Sequence, residues 1–555
     1  MFYLIRLLYF LALLPLAIWA AEPRLSAAAI ASAHPLATQA GHEILARGGN
    51  AFDAAVAVAA ALAVVEPYNS GLGGGGFFLL HRERDGFEVM IDARERAPLA
   101  ATRDMYLRDG LPMPALSIDG ALAAGIPGTP AALVHLAKKY GRLPLKQALA
   151  PAIRLARDGF PVTPLYSRML LRQHMRLTDY FPEAARVYHK DGLIPAPGDT
   201  LKQPDLVQTL RRLAGKGHAG FYGGVSAERL VQGVREAGGI WSLKDIAEYR
   251  VVERAPVRGT YRGVRITSAA LPSSGGVVLT QMLNLLQGFD LDTMPKARRD
   301  QTVVEAMRLA YRDRARHLGD PDFVRVDVPR LLDPAYAVML REEMRRPQQA
   351  PADAPAKAAG EGANTTHFSI IDREGNRVAA TLSLNTPFGS GFMPPGTGVL
   401  LNNEMDDFAV KPDAPNTYGL VGGDANAIAP GKRPLSSMTP TFLEGDDAVV
   451  VLGTPGGGRI ITMVLLATLE FAHGRGGPKE WVGMPRFHHQ YLPDVVTHEP
   501  HAFDDAEKRT LEQLGYKLET VPAGYGNMQM VTWHKKTGRV EAVSDPRGEG
   551  TAVVK

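Results

Sequence analysis

The sequence predicts a mixed α/β (α+β) fold in which two β-sheets pair face to face beneath helical outer layers. Three observations predict it. Two β-like blocks, one at residues 77–92 and one from residue 367 onward, flank a long stretch of helical pattern. An alanine-rich run over 51–65 is apolar on every side, so it belongs inside a layered structure rather than on a surface. The composition, 45% hydrophobic and 22% charged over 555 residues, is that of a globular chain with a large core, and it excludes disordered, collagenous and multi-pass membrane classes.

From the N-terminus, residues 1–21 read as a secretory signal: Arg6, an apolar stretch Leu7 to Trp19, then Ala20 and Ala21 before Glu22. The stretch is shorter than the roughly 20 apolar residues of a spanning helix, so a cleaved signal is expected and a retained anchor is the alternative. A periplasmic or secreted protein follows, with no stable membrane association once the signal is gone. Cysteine is absent, which removes disulfides, thiolate nucleophiles and thiolate metal ligands together. Net charge is +4 and no run of five basic residues occurs, so no nucleic-acid partner is expected.

A helix is expected over Ala37 to Ala46, broken by Gly48-Gly49-Asn50, and another over Ala51 to Val65, stopped by Pro67. Gly71 to Gly76 formally matches GxGxxG, but it follows a helix and leads into a strand, the reverse of the order a dinucleotide site needs. Phe77 to Arg82 and Phe87 to Asp92 form a hairpin about Asp85-Gly86. Residues 130–345 are mostly helical in pattern, with one irregular stretch at Pro272-Ser273-Ser274-Gly275-Gly276. From 347 to 364, seven Ala, three Pro and two Gly fill 12 of 18 positions, which marks a linker or a chain end. His367 to Ile371 and Arg377 to Leu384 then form a second hairpin around Glu374-Gly375-Asn376, and Ala448 to Leu452 is a further buried strand.

HExxH, Walker A and GxSxG motifs are all missing, and His488-His489 has no metal-site spacing, so neither a metal nor a cofactor is expected. What stands out is Asn364-Thr365-Thr366-His367, where the Ala/Pro segment meets the first residue of a strand. By pattern alone this is a strand start, to which β-branched threonine is suited.

The chain resembles the γ-glutamyltranspeptidase family of N-terminal-nucleophile hydrolases over nearly all of its mature length. The resemblance is carried, in order, by Gly48 to Ala51 with Asp53-Ala54-Ala55, the glycines 73–76, Asp92-Ala93-Arg94-Glu95 and Pro272 to Gly276. It continues through Thr365-Thr366-His367, Leu401 to Phe408, Tyr418 to Ala427, Lys432 to Met438, Pro455-Gly456-Gly457, Pro485 to His488 and Ser544 to Arg547. It implies a four-layer αββα sandwich, and a precursor that cuts its own Asn364–Thr365 bond. A large subunit 22–364, tailed by 347–364, and a small catalytic subunit 365–555 would then form one intertwined heterodimeric domain.

In that family's chemistry the Thr365 hydroxyl attacks first its own preceding carbonyl and then the substrate, activated by the freed α-amine, whose pKa of about 8 suits a general base. Gly456 and Gly457 would supply the oxyanion hole. Arg94, Ser436 and Ser437 would hold the α-carboxylate of a γ-glutamyl head, and Asn385, Glu404 and Asp407 its α-ammonium. Ser383 stands where many relatives carry a second threonine that hydrogen-bonds the nucleophile. Pro412 to Gly423, with Tyr418, resembles a lid over the site. His367 lies two positions along the strand from Thr365 and is expected to be structural.

The expected substrates are glutathione and other γ-glutamyl compounds, with water or an amino acid or peptide as acceptor. The rivals are a cephalosporin or glutaryl acylase of the same fold, which would not require Glu404 and Asp407, and a non-catalytic periplasmic binding protein.

Overall fold

The computed structural model describes residues 25–344 and 364–555. The expected signal and residues 347–363 of the Ala/Pro segment lie outside the described residues. Numbering only the strands of the two large sheets, the first half of the chain gives β1 (Ala29–Ser32), β2 (Gly75–Arg82), β3 (Phe87–Ala93), β4 (Val252–Arg254), β5 (Val257–Tyr261) and β6 (Val264–Ser268). The second half gives β7 (Thr366–Ile371), β8 (Arg377–Ser383), β9 (Thr441–Glu444), β10 (Ala448–Gly453), β11 (Gln529–His534), β12 (Val540–Ser544) and β13 (Thr551–Val554).

One sheet runs β13-β1-β7-β8-β2-β3-β4 and the other β12-β11-β10-β9-β6-β5. Every pairing within them is antiparallel. The seven-stranded sheet mixes strands from both sides of the Asn364–Thr365 junction: β1 lies between β13 and β7, and β8 pairs with β2.

Strand periodicity sorts the side chains into layers. Phe77, Leu79, Ile371 and Ala379 of the first sheet meet Phe442, Val449, Val451 and Val531 of the second, filling the space between them. The alternate residues Phe78, Leu80, Phe368 and Ile370 turn the other way, onto α1 (Pro35–Ala46) and α2 (Ala51–Val65). Beyond the second sheet, Ile266, Leu443 and Val450 pack against α3 (Gly275–Leu286), α4 (Lys296–His317) and α5 (Ile460–Ala472). The result is the αββα sandwich. Helix α2 is buried along its whole length, and its start is fixed by a capping box in which Asn50 and Asp53 satisfy each other's backbone N–H groups.

Both expected hairpins are present, the first turned by Glu83–Asp85 with Gly86 left-handed. The helical reading of 130–345 needs correction at 252–268, which forms three short strands, two of them at sheet edges. Charged residues there alternate outward, as in Val257, Arg258, Gly259 and Thr260, so the run lacks the continuous apolar signal of a buried strand.

The glycine run that imitates a nucleotide loop has a packing cause. A Cβ on Gly74 would sit 2.0 Å from the Ser383 carbonyl oxygen, and one on Gly76, whose φ is +147°, would sit 2.1 Å from that of Thr381. Strand β2 therefore approaches β8 closer than any side chain allows. Gly74→Ala is expected to lower stability by about 2–4 kcal/mol, because the clash is with backbone and not with a movable side chain. A fall in the urea midpoint at unchanged slope would show it; an unchanged midpoint would mean that the β2–β8 contact is not a constraint.

Candidate active site

The register of β7 on β8 sets the centre of the site. His367 pairs with Thr381 and Thr366 with Leu382, so one step further back Thr365 falls opposite Ser383. Both face the space between the sheets, since Thr366, Phe368 and Leu382 face the helical layer. Thr365 Oγ1 lies 3.2 Å from Ser383 Oγ and donates a short hydrogen bond to the carbonyl of Asn364, the residue before it. Ser383 Oγ also accepts from the Asn385 N–H at 2.8 Å, which leaves its own proton free to serve Thr365 or the Asn364 carbonyl 3.5 Å away. In the continuous chain Asn364 and Thr365 are both buried.

Arg94, Ser383, Asn385, Glu404, Asp407, Tyr418, Ser436, Ser437 and Gly457 line one pocket with Thr365; Leu420, Met438 and Ile460 complete its wall. Arg94 leaves the end of β3 and is buried. Its Nε donates to Pro434 O at 3.1 Å, its Nη2 donates to Asp407, and its Nη1 stands 2.9 Å from Glu404 Oε1. The cation expected for a carboxylate is thus turned toward the acids expected for an ammonium.

The Glu404 contact is an ion contact without hydrogen-bond geometry, and both Glu404 oxygens, fully buried, receive no hydrogen bond. Burial raises the Glu404 pKa well above the usual carboxylate range, against the pull of Arg94. Burial lowers that of Arg94, but Glu404, Asp407 and Glu95 outweigh it and the net shift is upward. Asn385, with φ at +76°, donates through Nδ2 to Asn403 O at 3.0 Å and accepts from the Tyr418 hydroxyl at 2.5 Å.

Gly456 and Gly457 sit in the turn ahead of α5, with φ of +143° and +55°. Neither backbone N–H donates to an acceptor among the described residues. The 412–423 loop expected as a lid lies over Gly457, where an added Cβ would meet the Tyr418 ring at 2.7 Å. It is tied down by Asn416, whose Nδ2 donates to Asp407 Oδ1 at 3.0 Å while its Oδ1 accepts from the N–H groups of Tyr418 and Leu420. Thr417 N–H donates to Asp406 at 2.9 Å.

Residues 37–555 match the family model described as Gamma-glutamyltranspeptidase. The chain belongs to this family. The glutathione hydrolase proenzyme of Escherichia coli (strain K12) is 42% identical over 525 residues, which span 93% of this chain and 90% of that one. Of solved structures, the cephalosporin acylase from Bacillus halodurans superposes with a TM-score of 0.83 at 28% identity over 99% of each chain. Helicobacter pylori gamma-glutamyltranspeptidase does so with a TM-score of 0.56 at 41% identity, over 58% of this chain and 92% of that one. The αββα sandwich is therefore of the N-terminal-nucleophile hydrolase type, and the chain is an enzyme of the γ-glutamyltransferase and glutathione hydrolase class.

Within this transpeptidase fold, the structure brings the expected site residues to one place. The pocket's apolar wall, Leu420, Met438 and Ile460, carries no sequence signal that separates it from core. Asn416 and Asp406 lie in stretches that match the family, but their part in holding the lid shows only in the folded chain. Among the described residues no three His, Asp or Glu side chains are grouped to hold a metal ion.

His367 contacts Thr381 Oγ1 at 2.8 Å and Ser369 Oγ at 3.2 Å, its ring packed on Gly453. Burial holds the imidazole neutral, its pKa pulled from 6.5 down to about 3, whereas the unfolded chain protonates near 6.5. Protonation therefore favours unfolding: the stability tied to His367 is complete above pH 6.5 and declines as pH falls toward 3. Between pH 6.5 and 5 the wild type is expected to lose about 2 kcal/mol more than His367→Asn, which takes up no proton. Urea unfolding at both pH values measures it; equal losses would show that His367 is charged in the folded chain.

Proposed function

We propose that the chain is exported as a precursor, cuts itself between Asn364 and Thr365, and then moves γ-glutamyl groups through an ester on Thr365 to water or to an amine. The observation that carries the substrate reading is Glu404: a buried carboxylate lining the nucleophile's own pocket, with no hydrogen-bond donor on either oxygen. An unsatisfied buried carboxylate is costly, and the α-ammonium of a glutamyl head supplies the missing donors. An acylase acting on a glutaryl head, which lacks that ammonium, would leave Glu404 as it stands.

In self-cleavage, Thr365 Oγ1 attacks the Asn364 carbonyl carbon while Ser383 relays the hydroxyl proton toward the departing Thr365 nitrogen. Breaking the C–N bond frees the Thr365 α-amine and leaves an ester on Oγ1, and water then cleaves that ester to give the Asn364 carboxylate and the Thr365 hydroxyl. The contact of Thr365 Oγ1 with Asn364 O and its distance of 3.2 Å from Ser383 support this step. The H. pylori chain supports two products, since it is 92% covered yet matches only 58% of this chain, about the share of residues 22–364.

In turnover, the α-amine accepts the proton of Oγ1 as it attacks the γ-carbonyl carbon, and the oxyanion meets the free N–H groups of Gly456 and Gly457. The proton passes to the departing amine, and water or a second amine reverses the sequence on the ester. Export rests on the N-terminal pattern of Arg6, an apolar stretch and Ala20-Ala21.

Purified protein is expected as two chains of about 37 and 21 kDa, the smaller beginning at Thr365. Thr365→Ala is expected to stay single and inactive. Denaturing electrophoresis with N-terminal sequencing reads both, and a single wild-type chain that still releases product would sink the mechanism. On the processed enzyme, a γ-glutamyl anilide is expected to exceed the glutaryl anilide in kcat/KM by about 100-fold, equivalent to roughly 3 kcal/mol. Equal or better use of the glutaryl compound would move the assignment to the acylase.

A further inference from the structure

Helix α4 carries a second arginine to the edge of the pocket. Arg314 is buried, and its two hydrogen bonds to other side chains go to hydroxyls: Nε donates to Ser274 Oγ at 3.0 Å and Nη2 to Ser437 Oγ at 3.1 Å. No carboxylate among the described residues pairs with it; Asp407 acts on it only at longer range. Ser274 in turn donates to the carbonyl of Ser436, from its hydroxyl at 2.7 Å and its N–H at 2.8 Å. Arg314 thus grips Ser437 directly and Ser436 through Ser274. This gives the Pro272 to Gly276 stretch, irregular in sequence and otherwise unused, a place in the site.

The two serine hydroxyl oxygens each accept a bond from the protein, Ser437 from Arg314 and Ser436 from the Met438 N–H at 3.1 Å. Neither hydroxyl proton goes to a described acceptor, so both remain to be donated to an anion. Arg94, by contrast, is committed to Pro434, Asp407 and Glu404, two of which are acids. A buried guanidinium without a counter-charge is costly to keep, and an arriving carboxylate relieves that cost.

We propose that Arg314 is a positioning residue for the α-carboxylate of the γ-glutamyl head, aiming Ser436 and Ser437 and adding a second positive charge to that of Arg94. The inference rests on the γ-glutamyl reading of the site. Arg94 lines the pocket beside Ser436 and Ser437, and Arg314 acts from behind the two serines.

The test compares L-γ-glutamyl p-nitroanilide with 4-aminobutyryl p-nitroanilide, which is the same compound without the α-carboxylate. Processed wild type, Arg314→Gln, Arg314→Lys and Ser274→Ala are assayed on both, with the competitive inhibition constant standing in where turnover is too slow. Arg314→Gln is expected to raise KM for the γ-glutamyl compound about 30-fold with kcat within about threefold, the pattern of lost ground-state binding. The 4-aminobutyryl compound is expected to change less than about threefold, because it has nothing for Arg314 to attract. Arg314→Lys, which keeps the charge and loses the fork, falls between, and Ser274→Ala moves in the same direction by less.

If Arg314→Gln yields no processed protein, the ratio between the two substrates in Arg314→Lys and Ser274→Ala decides. Equal loss on both substrates, or no loss, overturns the inference and leaves Arg314 as a structural tie between α4 and the serine loop. Failure of the wild type on the γ-glutamyl compound would instead overturn the function reading, and this inference with it.

Discussion

The antiparallel register between β7 and β8 is the constraint on which the site depends. A slip by one residue would turn Thr365 and Ser383 away from the inter-sheet space and bring Thr366 and Leu382 into it. The register is held from both faces. Phe368 and Ile370 are committed to the helical layer, Ile371 and Ala379 to the layer between the sheets, and Gly74 and Gly76 let β2 press against the carbonyls of β8. Thr366 adds a polar lock, donating to the buried Glu66 at 2.7 Å. A nucleophile placed this way needs no flexible loop to find its geometry, and the strand that carries it remains in the sheet whether or not the bond before it is cut.

The second constraint is electrostatic. Glu95, Glu404 and Asp407 converge on Arg94 in the interior, and burial, reinforced by the neighbouring carboxylates, lifts the pKa of both Glu95 and Glu404 against the pull of Arg94. Such a cluster is poorly balanced by one guanidinium, and Glu404 retains two unsatisfied oxygens. Arg314 is unbalanced in the opposite sense, a few residues of packing away. A zwitterionic ligand with an ammonium and a carboxylate on one carbon corrects both imbalances at once, which a dicarboxylate or a simple amide does not.

Much of the sandwich was legible in the chain because its signals are local: the buried alanine-rich helix after Asn50, the turn at Asp85-Gly86 and the alternation around Glu374-Gly375-Asn376. The edge strands at 252–261 were not, since half of their residues are charged or exposed, and Val252–Arg254 pairs with a strand some 160 residues earlier. Of the pocket, the residues set in matching motifs could be named from the sequence, but their mutual contacts could not. Nothing in a linear reading turns Arg94 toward Glu404 and Asp407, or brings Arg314 from the last turn of a 22-residue helix to Ser437. Those contacts join elements more than 100 residues apart, and only the folded chain creates them: the 404–407 turn is laid against the end of β3, and α4 is packed beside the serine loop.

The lid draws the two constraints together. Asp407 spends one oxygen on Arg94 and the other on Asn416, and Asn416 in turn holds the N–H groups of Tyr418 and Leu420, whose side chains cover Gly457 and Gly458. Under the proposed function, moving this loop away would take a donor from Asp407, and the ammonium of the glutamyl head would replace it. The closed loop also narrows the path to the glycine N–H groups, so a developing oxyanion meets them in a shielded, low-dielectric space where their dipoles act most strongly. Head recognition and shielding of the reacting carbonyl are thus linked through one carboxylate. That link explains why an acidic turn and a loop nine residues further on share partners instead of forming two separate parts of the wall.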